Sequence, residues 1–135
     1  MENSTSSSEI NINHLNLLPD FVELKSFNYG NIDFRMIDII KIEAKKSYSV
    51  FYIKGKEPYI SPRNLTFQEK KLNSKYFFRA TKSCLINFFQ VEEIIKALPA
   101  VILMKDKSKV FISRRKTAHF LAMYKFFLFE LNKVT

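Results

Sequence analysis

The 135-residue chain is poor in the residues on which several common protein functions depend. Its single cysteine, Cys84, excludes an intramolecular disulfide and indicates a reducing compartment. Its two glycines, Gly30 and Gly55, are too few and too far apart for a glycine-rich phosphate-binding loop. His14 and His119 are also far apart, and no CxxC or HxxxH spacing predicts a metal site. We therefore expect no cofactor.

Long apolar runs and paired acidic residues are scarce as well. No run approaches the ~20 apolar residues that a membrane span needs, and residues 1–9 show neither the cationic head nor the apolar segment of a secretory signal. We expect a cytoplasmic protein that does not span a membrane. Asp38 and Glu43 are the nearest candidates for a catalytic pair, but both lie in an apolar strand pattern with Lys41 between them. We predict that the protein is not an enzyme.

Positive charge and aromatic residues are what the sequence has in excess. Lys and Arg number 22 against 13 Asp and Glu, so the formal net charge is +9. A balance this basic favours polyanions, first nucleic acid and second an anionic membrane surface, although a merely well-solvated surface would also be basic. Aromatic residues make up 15% of the chain, including 14 Phe, which predicts a folded core of aromatic and Ile side chains.

Two regions are expected from the pattern along the chain. Residues 1–23 read as a disordered or partly helical N-terminal arm that is rich in Ser and interrupted by Pro19. Residues 24–135 read as one domain, whose β-type patterns are a hairpin at Tyr29–Asn31, a buried central strand near Ile37–Ile42, a strand at Tyr48–Ile53 and an edge strand between Pro58 and Pro62.

The second half of the domain combines helical and strand patterns. Thr66 followed by Glu69 fits a capping box and predicts a short helix to about Leu72. Residues 91–97 fit either a strand or a short helix, and residues 100–112 predict a hairpin. A helix is predicted from about residue 116 to 131. Its apolar face is wide, because Leu121, Leu128 and Phe129 extend it beyond one packing stripe.

The stretch Phe77–Asn87 has the most distinctive pattern. Apolar residues at both ends flank a basic, hydroxyl-rich middle, so burial of the ends would hold the middle as a short presenting segment. Further cations follow two other predicted strands. The candidate DNA-binding residues are Lys45, Lys46, Tyr48, Arg79, Lys82, Ser83, Ser113, Arg114, Arg115 and Lys116.

Different roles are expected within this set. Arg suits bidentate recognition of guanine in the major groove, so Arg115 or Arg114 is the candidate for direct base readout. Phosphate positioning is assigned to Ser83, Ser113, Arg79 and Lys46, because cations neutralise phosphate and small hydroxyls donate to its oxygens. The alternative is that these cations are only solvated strand ends.

Three blocks of the sequence resemble LytTR-type DNA-binding domains. Phe78-x-Arg79-x-x-Lys82-Ser83-x-Leu85-Ile86-Asn87 resembles the core Phe-x-Arg-x-His-Arg-Ser-x-x-Val-Asn pattern of that family. Ile39–Ala44 with Tyr48 resembles an earlier strand motif, and Phe111–Arg115 resembles the closing Ser-Arg motif. The sequence departs from the family pattern in having Thr81 in place of His and Lys82 in place of Arg.

The resemblance implies a mainly β, elongated LytTR-type β-β-β fold of small stacked sheets with short helices and a C-terminal helix. It implies that loops, rather than a recognition helix, enter successive major grooves of double-stranded DNA. In the family the domain is commonly fused to a receiver domain, and here only a short arm is expected before it. Regulation would then come from elsewhere: from a second subunit on an adjacent DNA repeat, or from an inhibitory protein on the C-terminal helix. The alternative function is a basic protein-interaction or RNA-binding module that kept the fold without specific DNA readout.

Overall fold

The computed structural model describes residues 26–30, 32–72, 75–97 and 99–133, which form ten strands in three antiparallel sheets and two α-helices. The mainly β fold with a short helix and a C-terminal helix, expected from the sequence, is confirmed. The predicted N-terminal arm and the predicted start of the domain at residue 24 lie outside the described residues.

The sheets follow one another along the chain. A two-stranded sheet pairs β1 (Ser26–Tyr29) with β2 (Ile32–Arg35). The five-stranded sheet has the order β5-β4-β3-β7-β6 and consists of β3 (Ile39–Lys45), β4 (Tyr48–Ile53), β5 (Tyr59–Ser61), β6 (Phe77–Thr81) and β7 (Cys84–Asn87). The three-stranded sheet has the order β10-β9-β8 and consists of β8 (Val91–Ile95), β9 (Val101–Met104) and β10 (Lys109–Phe111). The helices are α1 (Leu65–Lys71) and α2 (Arg114–Asn132).

The apolar segment predicted as a central strand is confirmed as β3, the middle strand of the five-stranded sheet. Ile39 and Ile42 are fully buried there, as β-branched side chains in a doubly paired strand should be. The segment between the two prolines forms β5 at the edge of the sheet, as Pro58 and Pro62 predicted. The hairpin at Gly30 is also confirmed, since Gly30 adopts the positive φ of +65° that such a turn requires.

A buried amide, that of Asn87, ties the end of β7 to the chain that leads into β3. The Nδ2 group donates to the carbonyls of Ile39 at 2.8 Å and Met36 at 3.3 Å. The Oδ1 atom accepts from the backbone N–H of Phe89 at 3.0 Å. Asn87 is 1% exposed, so no bulk water replaces these bonds. One side chain therefore satisfies backbone carbonyls at and just before the start of β3 and a backbone N–H in the turn that follows β7.

Gln90 makes a second link of the same kind. Its side-chain Nε2 donates to the backbone carbonyl of Ile37 at 2.8 Å, and its backbone carbonyl accepts from the backbone N–H of Lys105 at 2.8 Å. Gln90 lies in the 3₁₀ turn Phe88–Gln90, which connects the five-stranded sheet to the three-stranded sheet. Asn87 and Gln90 together hold the point where the chain passes from one sheet to the next.

The C-terminal helix packs its aromatic side chains into the core. Phe120 and Phe127 are buried and lie 5.9 Å and 5.5 Å, ring to ring, from Phe88. Of the three residues expected to widen the apolar face, Leu121 and Leu128 are partly buried against the same core, whereas Phe129 is exposed. The aromatic residues that remain exposed on α2 are Phe126 and Phe129, at 53% and 60%.

The predicted cap of the first α-helix is wrong. The cap of α1 is Asn64, whose side chain accepts from the backbone N–H of Phe67 at 2.8 Å, and Thr66 lies inside the helix. Asn is a stronger cap than Thr, so the true cap outcompetes the pattern two residues later. The C-terminal helix begins at Arg114, two residues before the start expected at about residue 116.

Replacement of Asn87 by Leu should lower the free energy of unfolding by about 2–4 kcal/mol, because buried carbonyls would lose their donors. Urea unfolding followed by circular dichroism measures the change. Lys96→Ala, on an exposed residue that directly follows β8, is the control and should change stability by less than about 0.5 kcal/mol. A loss below about 1 kcal/mol for the Leu variant would contradict the role given to this amide.

Candidate nucleic-acid interface

The first cationic segment is the tight turn between β3 and β4. Lys45 pairs with Tyr48 across the hairpin, which leaves Lys46 and Ser47 as its two turn residues. Lys46 has a φ of 59°, a left-handed conformation that costs a non-glycine residue about 1–2 kcal/mol. Its side chain is exposed and has no hydrogen-bond or ion-pair partner among the described residues. A strained turn therefore carries an unpaired cation at its tip.

The second segment is the turn between β6 and β7, formed by Lys82 and Ser83. The backbone N–H of Ser83 donates to the hydroxyl of Thr81 at 3.1 Å, and the Nε of Arg79 donates to the carbonyl of Lys82 at 3.2 Å. These bonds hold the backbone of the turn. The ammonium group of Lys82 is exposed and unpaired within the described ranges.

Arg79 supports this turn from the strand. Its Nη1 donates to Glu69 on α1 at 2.7 Å, and its Nη2 donates to the carbonyl of Lys82. Three of its five N–H donors are thus engaged within the protein. The sequence pattern predicts Arg79 as a phosphate-positioning residue in the same presenting segment as Lys82, and in the structure its guanidinium group forms an ion pair with Glu69. Nothing in the sequence spacing indicated Glu69 as its partner.

The third segment runs from Ser113 through the first turn of α2. Arg114 and Arg115 are exposed and have no partner in the described part of the chain, and the first turn contains no acidic residue. The Ser113 hydroxyl makes no capping bond to the helix. The positive end of the helix dipole therefore coincides with two unpaired guanidinium groups, which an approaching anion would stabilise.

Backbone and side-chain contacts join the three segments into one region. The backbone N–H of Ala44, at the end of β3, donates to the carbonyl of Ser83 at 2.8 Å. The Nζ of Lys116 donates to the carbonyl of Arg79 at 2.9 Å, which fixes the start of α2 against β6. The arrangement follows from sheet order, because β7 pairs with β3 and β6 pairs with β7.

Glu43 organises a second group of cations beside the first turn. Its carboxylate accepts from the Tyr52 hydroxyl at 3.2 Å and pairs with Lys41 at 3.2 Å and Lys45 at 3.6 Å. Burial, and then the Glu43 carboxylate, raise the pKa of Tyr52. The sequence pattern indicates Glu43 only as a weak catalytic candidate with Asp38. The structure surrounds its carboxylate with cations, which leaves Lys45 less available than Lys46.

Within the described ranges, no three His, Cys, Asp or Glu side chains lie close enough together to hold a metal ion. No helix in those ranges has both the length and the apolar character to cross a bilayer. The candidate site consists of the cations and hydroxyl groups of the three segments and of Tyr48, a half-buried side chain at the start of β4.

Cations clustered at strand-end turns and at a helix start of a small, mainly β domain are typical of domains that bind polyanions. The comparison with protein families is specific. The LytTr DNA-binding domain model matches residues 30–125, so the chain belongs to the LytTR DNA-binding domain family. A solved LytTr DNA-binding domain from Bacillus cereus is similar in fold, with a TM-score of 0.64 and 15% identity. The alignment covers 76% of this chain and 96% of the other. No curated protein matches this sequence.

Cys84, the first residue of β7, gives a measurable signature of the packing beneath the second turn. Burial, with a further contribution from Glu43, raises the pKa of the Cys84 thiol from 9.0 to about 12. The unfolded thiol ionises first, so the stability that comes from the neutral thiol is complete below pH 9 and is lost as pH rises towards 12.

Relative to Cys84→Ala, the wild-type protein should therefore lose up to about 1.4 kcal/mol of stability per pH unit above its unfolded pKa. Urea unfolding of both proteins at several pH values between about 8 and 11 measures this difference, and the other titrating groups cancel in it. Parallel stability curves for the two proteins would show that the thiol is not protected by burial.

Proposed function

We propose that this protein is a transcription regulator that binds double-stranded DNA sequence-specifically through the three cationic segments. The observation that carries the proposal is that Lys46, Lys82, Arg114 and Arg115 have no acidic partner among the described residues, although their segments are joined in one region. Family membership adds support, because the matching model describes a DNA-binding domain. The functional unit proposed is residues 24–135.

Roles are proposed from the chemistry of each side chain and from whether it is paired with another described residue. Arg115 or Arg114 would read a guanine edge in the major groove, since both guanidinium groups lie on the first helical turn and have no partner in the part of the chain that the structure describes. Lys46 and Lys82 would neutralise phosphates, with the hydroxyls of Ser83 and Ser113 as donors to phosphate oxygens. Arg79 and Lys45 would contribute charge while keeping their ion pairs with Glu69 and Glu43, and Lys116 while keeping its hydrogen bond to a backbone carbonyl. Tyr48 would contact the sugar-phosphate backbone or a base edge.

Duplex DNA is favoured over RNA by the burial of the sheet aromatics. RNA-binding sheets expose aromatic rings on which unpaired bases stack. In the five-stranded sheet Phe51, Phe77 and Phe78 are buried, while Tyr48 and Tyr52 are half-buried. A basic edge over a buried aromatic core is better suited to contact a phosphate backbone than to stack unpaired bases. The proposal places the protein in the compartment that contains the DNA, the cytoplasm, and assigns it no catalytic role.

Binding to the preferred duplex should weaken with salt, with a slope of log K against log salt near −5 if about six phosphates are engaged. Arg115→Ala should cost about 1–3 kcal/mol on that duplex and relax the preference at one base position. Lys46→Ala should weaken binding to all duplexes alike and reduce the slope by about one unit. Fluorescence anisotropy after selection from a random pool measures each quantity.

Lys54→Ala is the matched control for Lys46→Ala, because Lys54 follows the opposite end of β4 and is equally exposed in a turn. It should leave both affinity and salt slope unchanged. A wild-type slope shallower than about −2 would contradict the three-segment arrangement. Identical behaviour of the Arg115 and Lys46 variants on specific and random DNA would contradict the roles assigned to them.

A contact between subunits on adjacent DNA repeats is proposed for the outer face of α2. Phe126 and Phe129 are three residues apart, so both rings lie on one side of the helix, and both are more than half exposed. The Nζ of Lys133 lies 5.1 Å from the centre of the Phe129 ring and pairs with Glu130 at 3.2 Å. Exposed rings of this size are what a second subunit, or alternatively an inhibitory protein, would cover.

The double variant Phe126→Ser, Phe129→Ser should keep its thermal stability and lose cooperative binding to a duplex with two adjacent sites. The physical reason is that the exposed rings contribute little to the monomer and much to an interface. The matched variant Leu121→Ser, Leu128→Ser should instead lower stability, because those side chains pack against the core. Unchanged cooperativity in the Phe variant would assign the subunit contact to another surface.

A further inference from the structure

A cavity of about 290 Å³ lies where α1, β6 and the first turns of α2 meet. Its lining residues come from all three elements, and they are Glu69, Phe77, Phe78, Arg79, Lys116, His119 and Met123. Strand β6 is an edge strand of its sheet, so no neighbouring strand pairs with its outer side within the described residues. The three helix residues of the lining are three and four positions apart and therefore share one face of α2.

Charge within the lining is not balanced. Arg79 is neutralised by Glu69 at 2.7 Å. Lys116 donates one hydrogen bond to a neutral backbone carbonyl and has no acidic partner in the described part of the chain. Two cations against one carboxylate leave a net charge of +1 with His119 neutral. The ring nitrogens of His119 make no hydrogen bond to any described residue, although its ring lies 5.4 Å from that of Phe78.

The remaining lining is apolar. Phe77, Phe78 and Met123 supply two aromatic rings and a flexible thioether, which adapts to irregular shapes. The volume lies at the lower end of the range for ligand pockets, about 300–1,000 Å³, so one ring or one branched chain fits better than a nucleotide. A bare inorganic anion would leave the apolar lining without a partner, and an organic cation would face the unbalanced Lys116.

We propose that this cavity binds a small organic acid, namely a single carboxylate attached to an aromatic or branched apolar body. The carboxylate accepts from Lys116 and His119, and the apolar body contacts Phe78 and Met123. The regulatory consequence rests on the proposed function: Lys116 lies in the third cationic segment, so neutralising it weakens DNA binding. By linkage, DNA weakens binding of the acid by the same factor.

Methyl-labelled methionine provides a direct test in the full chain, with benzoate as the probe. Of the four methionines, Met123 lines the cavity, while Met36 and Met104 are buried elsewhere and serve as internal references. Benzoate should shift the Met123 methyl and His119 ring signals saturably and leave the Met36 and Met104 signals in place. Benzamide, its neutral counterpart, and inorganic phosphate at matched ionic strength should produce neither shift.

Two variants locate the binding determinants. Lys116→Met should weaken benzoate binding by about tenfold or more, the loss expected for a hydrogen bond to a charged group. Lys125→Met, an exposed lysine on the same helix, should bind benzoate as the wild type does. Unchanged reference signals from Met36 and Met104 establish that each variant is folded. Equal binding of benzoate and benzamide, or undiminished binding by the Lys116 variant, would overturn the proposal.

DNA binding forms a separate measurement. Saturating benzoate, at constant ionic strength, should lower the affinity of the wild-type protein for its duplex. His119→Ala, which removes a cavity residue outside the DNA-binding set, should bind DNA as the wild type does and lose the benzoate effect. If benzoate shifts Met123 but no duplex is bound, the proposed function fails and the cavity remains a site. If DNA is bound and no shift occurs at Met123, the cavity proposal alone fails.

Discussion

The buried side-chain amide of Asn87 is the interaction on which the rest of the structure depends. Sheets that follow one another along a chain leave backbone carbonyls unpaired where the chain turns from one to the next, and burial makes such carbonyls costly. Asn87 supplies the donor at the end of the five-stranded sheet, and Gln90 supplies another at the start of the three-stranded sheet. The two amides thereby fix the junction between the sheets, and Phe88, in the same 3₁₀ turn, is the residue against which the rings of Phe120 and Phe127 of α2 pack.

Acidic residues divide the cations of the candidate interface into two groups. Glu43 engages Lys41 and Lys45, and Glu69 engages Arg79, so these cations are held in place and partly neutralised. The cations of the two tight turns and of the first turn of α2 have no such partner among the described residues. They are kept there against local energetic preferences, with a left-handed backbone at Lys46 and unfavourable helix-dipole interactions at Arg114 and Arg115. Local strain of this kind is common where a surface is built for a ligand.

The C-terminal helix serves several parts of the molecule at once. Its inner aromatic residues fill the core against Phe88, and its first turn contributes cations to the candidate interface. Between these two regions, Lys116, His119 and Met123 face the cavity beside β6. A single rigid element therefore connects the proposed DNA contacts, the proposed acid site and the exposed Phe126 and Phe129. A ligand that neutralises Lys116 would act directly on the charge of the third cationic segment.

The sequence by itself determined the mainly β fold, the central position of β3, the edge position of β5 and the hairpin of β9 and β10. These features depend on local rules, namely β-branched density, proline geometry and turn composition, which neighbouring residues already express. The family could also be inferred from three short motifs in the right order. The locations of the cationic segments followed from strand ends, although their roles in binding remain predictions.

Only the tertiary structure decided which cations are free and which are paired. The partner of Arg79 is Glu69 on a different element, and no spacing along the chain encodes that contact. The same holds for Lys116, whose Nζ donates to the carbonyl of Arg79, 37 residues earlier in the chain. The partial burial of Leu121 and Leu128 likewise depends on how α2 packs against the core. The cap of α1 is Asn64 and not Thr66, because a stronger capping residue lies two positions earlier in the chain. Long-range packing sets these features, since ion pairs and burial depend on which elements meet and not on sequence neighbours.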